Sequence, residues 1–117
     1  MNNGFGFDKL FNMQVDFQEM VTGAKCPGDH LNHFSYHVQA MVEEMGEVMK
    51  ADKRWKTHRN ERYEKEEKLD ELADVFITVM NLAIHSGFTS QELLEEVFLK
   101  IAGNQKRWEE RNNDSNC

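Results

Sequence analysis

Four carboxylates at two matched spacings are the residues of this chain best suited to chemistry. They are Glu44 and Glu47 in Val42-Glu43-Glu44-Met45-Gly46-Glu47, and Glu71 and Asp74 in Leu69-Asp70-Glu71-Leu72-Ala73-Asp74. Both pairs lie in segments with helical apolar spacing. At about 100° per residue, positions three apart share a helix face, so each pair points one way. Two such pairs facing each other make a four-carboxylate site. Like charges at that range repel, and a cluster of this kind implies bound hard cations, with Mg²⁺ the usual one.

Register strengthens the pairing. Short connections make successive helices antiparallel neighbours, so positions symmetric about a connection lie at similar heights. Glu44 with Asp74, and Glu47 with Glu71, share residue 59 as midpoint. The four acids are therefore expected to be level. The competing reading is a set of solvated helix faces, since the chain carries 21 acidic residues in 117. Against it stand Asp74, which abuts an apolar run, and Gly46, which costs a helix interior about 1 kcal/mol relative to Ala. A glycine there suggests close approach by a ligand or a neighbouring helix.

The elements that position these acids follow from the apolar pattern. A first helix is expected from Asp8 to Val21 on Leu10, Phe11, Met13, Phe17 and Met20, and Gly23 with Pro27-Gly28 ends it. Asp29 is a candidate N-cap for a second helix, Leu31 to Trp55. Residues 56–63 read as a polar connection. The third helix runs from Glu64 to His85, and its second half, Val75 to Ile84, is apolar almost all round. Gly87 closes it, and Thr89 with Glu92 forms a capping box that starts the fourth, Ser90 to Arg111. Residues 1–7 and 112–117 read as flexible ends. The expectation is a single all-α domain, an antiparallel bundle of about four helices. A third helix buried all round is hard to satisfy with only three neighbours: either it is central in the monomer or its far side meets another subunit, and the second alternative, completion by oligomerisation as a homodimer or homotetramer, is the expectation.

The totals exclude several classes. A net charge of −7 argues against nonspecific binding to nucleic acid or anionic membranes. Two cysteines, one of them the final residue, make a disulfide framework improbable. The N-terminus lacks the features of a secretion signal, and no stretch reaches the ~18 apolar residues of a membrane span, so a cytoplasmic protein is expected.

Glu43-Glu44-Met45-Gly46-Glu47 followed by Glu71-x-x-Asp74 and Leu72-Ala73-Asp74-Val75 resembles the signature of the all-α, MazG-like nucleoside triphosphate pyrophosphohydrolases. That superfamily also includes dimeric dUTPases and phosphoribosyl-ATP pyrophosphatase. Lys100-x-x-x-Asn104-x-x-Arg107 is similar to a basic element carried by many members. The resemblance covers residues 31–111. It implies Mg²⁺, with Mn²⁺ a possible substitute, held by Glu44, Glu47, Glu71 and Asp74. The substrate would be a (deoxy)nucleoside triphosphate, hydrolysed to the monophosphate and pyrophosphate in nucleotide-pool housecleaning, with Glu44 or Glu47 orienting or deprotonating the water. The chain is short for the larger dimeric dUTPases. Phosphoribosyl-ATP pyrophosphatase is a rival within the class, and a non-catalytic helical metal-binding or interaction module is the rival outside it.

Lys100, Asn104 and Arg107 share one helix face by their spacing. Reflected about the Gly87–Thr89 turn they fall near the heights of Glu71 and Asp74, and the resemblance makes them phosphate contacts, with Lys53 as a further candidate. Phe17, His37, Trp55 and Asn81 are candidates for a base pocket, each weighed against ordinary core packing. His30, His33 and His37 share a face, but no cysteine or carboxylate at suitable spacing supports a zinc site.

Overall fold

The computed structural model describes residues 6–23, 31–54 and 64–115, apart from the side chains of 31–33, 114 and 115. These residues form four helices: α1 (Phe7–Thr22), α2 (Leu31–Asp52), α3 (Lys65–His85) and α4 (Ser90–Ser115). The fold class is all-α, as expected. No single helix among the described residues is long and apolar enough to cross a membrane.

Local chemistry sets the ends of the helices. Gly23 takes the left-handed conformation, φ +71°, and donates its N–H to the Glu19 carbonyl. α2 stops at Asp52, three residues before the expected Trp55. The Asp52 carboxylate accepts the Arg54 backbone N–H at 3.1 Å and the Arg54 guanidinium at 2.7 and 2.8 Å, while Lys53 turns to φ +67°. A side chain that holds the next turn competes with further helix. Trp55 and the 56–63 connection lie outside the described residues.

Gly87 adopts φ +87° after α3, and the Phe88 N–H returns to the Ala83 carbonyl at 3.0 Å. The capping box is present and reciprocal. Glu92 N–H donates to Thr89 Oγ1 at 3.1 Å, and Thr89 N–H to Glu92 Oε1 at 2.9 Å. α4 then continues through residues 112–115, which the sequence assigned to a tail.

α2 and α3 pack along each other as a hairpin, and α1 lies against α3. Phe11, Met80, Ala83 and Ile84 form the buried core, with Phe7, Val15 and Leu93 packed around it. This core sits at the C-terminal half of α3. α4 joins it only at its start, where Leu93 meets the core and the Ser90 hydroxyl donates to Asp8 of α1.

Between α3 and α4 the chain turns through 115°. A helical hairpin would need a turn near 180°, so α4 does not run back along α3. Its apolar residues Leu94, Val97, Phe98, Ile101 and Trp108 are exposed, as are Phe76, Ile77 and Val79 on α3. The apolar run of α3 is therefore mostly buried from Met80 onward, with Leu82 partly exposed, and only partly covered before it. The radius of gyration is 18.3 Å, against about 13–14 Å for a compact domain of this length.

Candidate functional site

The α2–α3 hairpin brings the predicted acids together. Glu44 from α2 and Glu71 and Asp74 from α3 each place a carboxylate oxygen within 4.8 Å of the others. All three are partly buried. The pairing of Glu44 with Asp74 follows from antiparallel packing, because residues equidistant from the hairpin end meet across the interface. Glu47 stands at the edge of this triad. Its carboxylate lies 3.7 Å from Lys50 Nζ on its own helix, and its charge still acts on both Glu44 and Glu71.

The electrostatics are those of crowded negative charge. Partial burial, then the carboxylate of Asp74, hold Glu44 above the usual carboxylate range, with Glu43 and Glu47 adding to the effect. Glu71 is raised by the same two causes in the same order, followed by Glu47, Asp70 and Glu44. Protonation and a bound cation are the two ways to relieve such a cluster. The donor set, three carboxylates and no sulfur or imidazole, fits a hard cation of the Mg²⁺ type.

Gly46 has open space where a Cβ would stand. Among the described residues no neighbouring helix approaches this glycine, so of the two readings, a ligand or a neighbouring helix, the second is not met there.

The phosphate candidates are not gathered at the acids within this chain. Lys100, Asn104 and Arg107 are exposed on α4, and the Arg107 guanidinium donates to Asn104 Oδ1. The 115° turn removes the antiparallel return on which their matching heights depended. Lys53 is partly buried at the end of α2.

The base-pocket candidates divide. Phe17 is exposed on α1, and Trp55 is outside the described residues. Asn81 is buried, and its Oδ1 accepts a hydrogen bond from Gln14 Nε2 at 2.8 Å. His37 is buried with its ring stacked on His85, centroids 4.5 Å apart and planes 16° from parallel. His85 Nε2–H donates to Gln18 Oε1 at 2.8 Å. His30 and the His33 side chain lie outside the described residues, so the histidine face is represented by His37 alone.

Gln14 and Gln18, which the sequence reading passed over, are the α1 partners of this polar ladder. A signal for them existed. They repeat at i, i+4 along the face that carries Phe11 and Val15, and Asn81 and His85 repeat at i, i+4 on α3. Polar residues at matched spacing inside two apolar stripes identify each other.

Antiparallel helices that level a triad of carboxylates define the class, an all-α protein with an acidic, cation-suited site on a helical hairpin. The comparison with protein families makes the class specific. Residues 6–115 match the family described as dUTPase, and the chain belongs to this family, a branch of the all-α MazG-like nucleotide pyrophosphohydrolases. Membership makes it a nucleoside triphosphate hydrolase of nucleotide-pool cleaning. The match covers nearly the whole of this chain. No curated protein and no solved structure matches it.

Proposed function

We propose that this protein hydrolyses deoxynucleoside triphosphates, dUTP foremost, to the monophosphate and pyrophosphate with Mg²⁺ as cofactor. The observation that carries the reading is the triad of Glu44, Glu71 and Asp74, three carboxylate oxygens within 4.8 Å on facing helices of a dUTPase-family chain. These three residues would hold the cation, and Mn²⁺ would substitute. When bound, Mg²⁺ supplies neutralisation of the polyphosphate and a more acidic water.

Glu47 is the residue we assign to the water. It borders the triad without belonging to it, so its carboxylate, partly exposed to solvent and paired only loosely with Lys50 at 3.7 Å, would orient the nucleophile and accept its proton. Addition of one water cleaves the anhydride between the α- and β-phosphates, leaves the oxygen on the monophosphate, and releases pyrophosphate.

The protomer does not place a cationic group at the triad from α4, and a second copy provides one. Twenty-one large apolar side chains are exposed among the described residues, against five buried hydrophobic ones. α4 combines an exposed apolar face with Lys100, Lys106 and Arg107. The α2–α3 hairpin combines exposed Val42, Met45, Leu69 and Leu72 with the acids. The basic stretch 100–107 of α4, set between Glu92, Glu95 and Glu96 before it and Glu109 and Glu110 after it, is complementary in charge to the acids of the hairpin, and both surfaces are apolar. In the homo-oligomer we propose, α4 of one copy lies on the acidic hairpin of the other, where Lys100 and Arg107 meet the phosphates and Asn104 positions them.

Pyrophosphate release from dUTP, the other deoxynucleoside and ribonucleoside triphosphates and phosphoribosyl-ATP, with Mg²⁺ and with chelator, tests the reading. Mg²⁺-dependent release from dUTP is expected, together with losses of roughly 100-fold or more in Glu71→Gln and Asp74→Asn. Turnover of none of these compounds overturns it.

A further inference from the structure

We propose that α4 carries a pairing surface for α4 of a second copy, the two helices running antiparallel with their apolar seams in contact. Leu94, Phe98, Ile101, Gln105 and Trp108 follow one another at intervals of four, three, four and three residues along α4. That alternation keeps one narrow stripe of a helix turned toward a partner helix. All five side chains are exposed, Phe98 at 71% and Trp108 at 62%. Among the described residues α4 joins the core only near its start, through Leu93.

The pairing rests on the copies associating, as in the oligomer proposed above, and not on the substrate assigned to the acidic site. Lys100, Asn104 and Arg107, which that oligomer turns toward the acids, stand about 110° round the helix from the seam, at about 100° per residue. With their face on the hairpin, the seam needs a cover of its own. An aligned apolar stripe of this length marks an interaction surface rather than scattered exposure.

Charge selects the occupant. Glu92, Glu95 and Glu96 precede the middle of the seam, and Lys100, Lys106 and Arg107 follow it. A parallel pair would set acids against acids, whereas an antiparallel pair sets the acidic half of each helix against the basic half of the other. Knobs-into-holes packing of two antiparallel seams then places Phe98 against Ile101 of the second copy and Leu94 against its Gln105, with the two-fold axis between Leu99 and Lys100. The shallow groove between Leu94, Glu95, Phe98 and Leu99 receives Ile101 of the second copy. In this register Glu95 lies within about 3 Å of the height of Lys106 of the second copy, on the same flank of the seam. The Gln91 amide that donates to Glu95 at 3.0 Å leaves its charge in place. Glu109 and Glu110 fall beyond the matched stretch, level with Ser90 and Thr89 of the second copy. Gln105, the polar member of the stripe, sits toward each end of the pair, where water reaches its amide.

Disulfide trapping in the full chain tests the register. Leu94→Cys and Gln105→Cys, each made together with Cys26→Ser and Cys117→Ser, are mixed in a glutathione redox buffer after light scattering has given the mass. Disulfides between the two different variants are expected in roughly 10-fold or greater excess over those of Leu94→Cys with itself, because only the first pair is held at high effective concentration. Like positions lie about 16 Å apart along the axis at 1.5 Å per residue. Excess of the Leu94→Cys self-product means parallel helices and overturns the proposal. An oligomeric mass with no disulfide overturns the pairing and leaves the oligomer standing, whereas a protomer mass overturns both. Charge exchange supplies a second measurement. Glu95→Lys should raise the dissociation constant about 3-fold or more, and adding Lys106→Glu should reverse most of that rise. No recovery in the double variant overturns the register.

Discussion

Ile84 is fully buried, at 0% exposure, between Phe11, Met80 and Ala83. Ile84→Ala removes three carbons from this position. At about 0.8 kcal/mol per buried methylene, their transfer accounts for about 2.4 kcal/mol. A residual cavity of about 40 Å³ adds about 1 kcal/mol at about 24 cal/mol per Å³. The expected loss is therefore about 3–4 kcal/mol, or roughly 12–15 °C in Tm for a chain of this length. Few other buried apolar residues join α1 to α3, so the loss should concentrate there, with α1 amides losing protection before those of the α2–α3 hairpin. Urea unfolding with hydrogen exchange measures both quantities. A loss below 1 kcal/mol, or an even loss of protection across all four helices, would refute the placement of the core at the C-terminal half of α3.

Ile101, 53% exposed, provides the contrast on α4. Ile101→Ala should cost little in a lone protomer, so a loss above about 1 kcal/mol with a concentration-dependent Tm identifies cover by a second copy, and Phe98→Glu should shift the mass by light scattering to that of the protomer. Burial and the neighbouring carboxylates make Glu44 and Glu71 bind protons more readily in the folded chain than in the unfolded one, so the cation-free protein should lose stability as pH rises above about 4.5, the ordinary value of a glutamate. Thermal melts across that range should show the loss relieved by Glu44→Gln, and added Mg²⁺ should raise Tm at pH 7.5 in the wild type more than in that variant. Asp52 has the opposite sign: hydrogen bonds from Arg54 and then Lys68 hold its carboxyl far below its usual range. Its contribution is present above pH 3.8 and lost as pH falls below it, and Asp52→Asn should flatten the acid limb of a stability–pH curve. Thr89→Ala removes one half of the capping box and should cost about 1 kcal/mol in urea melts.

The acidic site was legible in the sequence because it depends on two local quantities. Helical periodicity put Glu71 and Asp74 on one face, and the length of the α2–α3 connection put Glu44 level with them. The helix ends at Gly23, Gly87 and Thr89 were legible for the same reason, since each is decided within a few residues by backbone conformation and side-chain capping.

What the sequence left open depends on direction in space. The turn after α3 could be recognised from Gly87, but not its 115° angle, at which Leu93 packs on the core and Ser90 bonds to Asp8 of α1. That angle determines that Lys100, Asn104 and Arg107 stand away from the acids of their own chain. Likewise, Gln14, Gln18, Asn81, His37 and His85 are each unremarkable polar residues in isolation. Burial makes them partners, because a polar group taken from water must find another, and only the packing of α1 across α2 and α3 decides which ones meet.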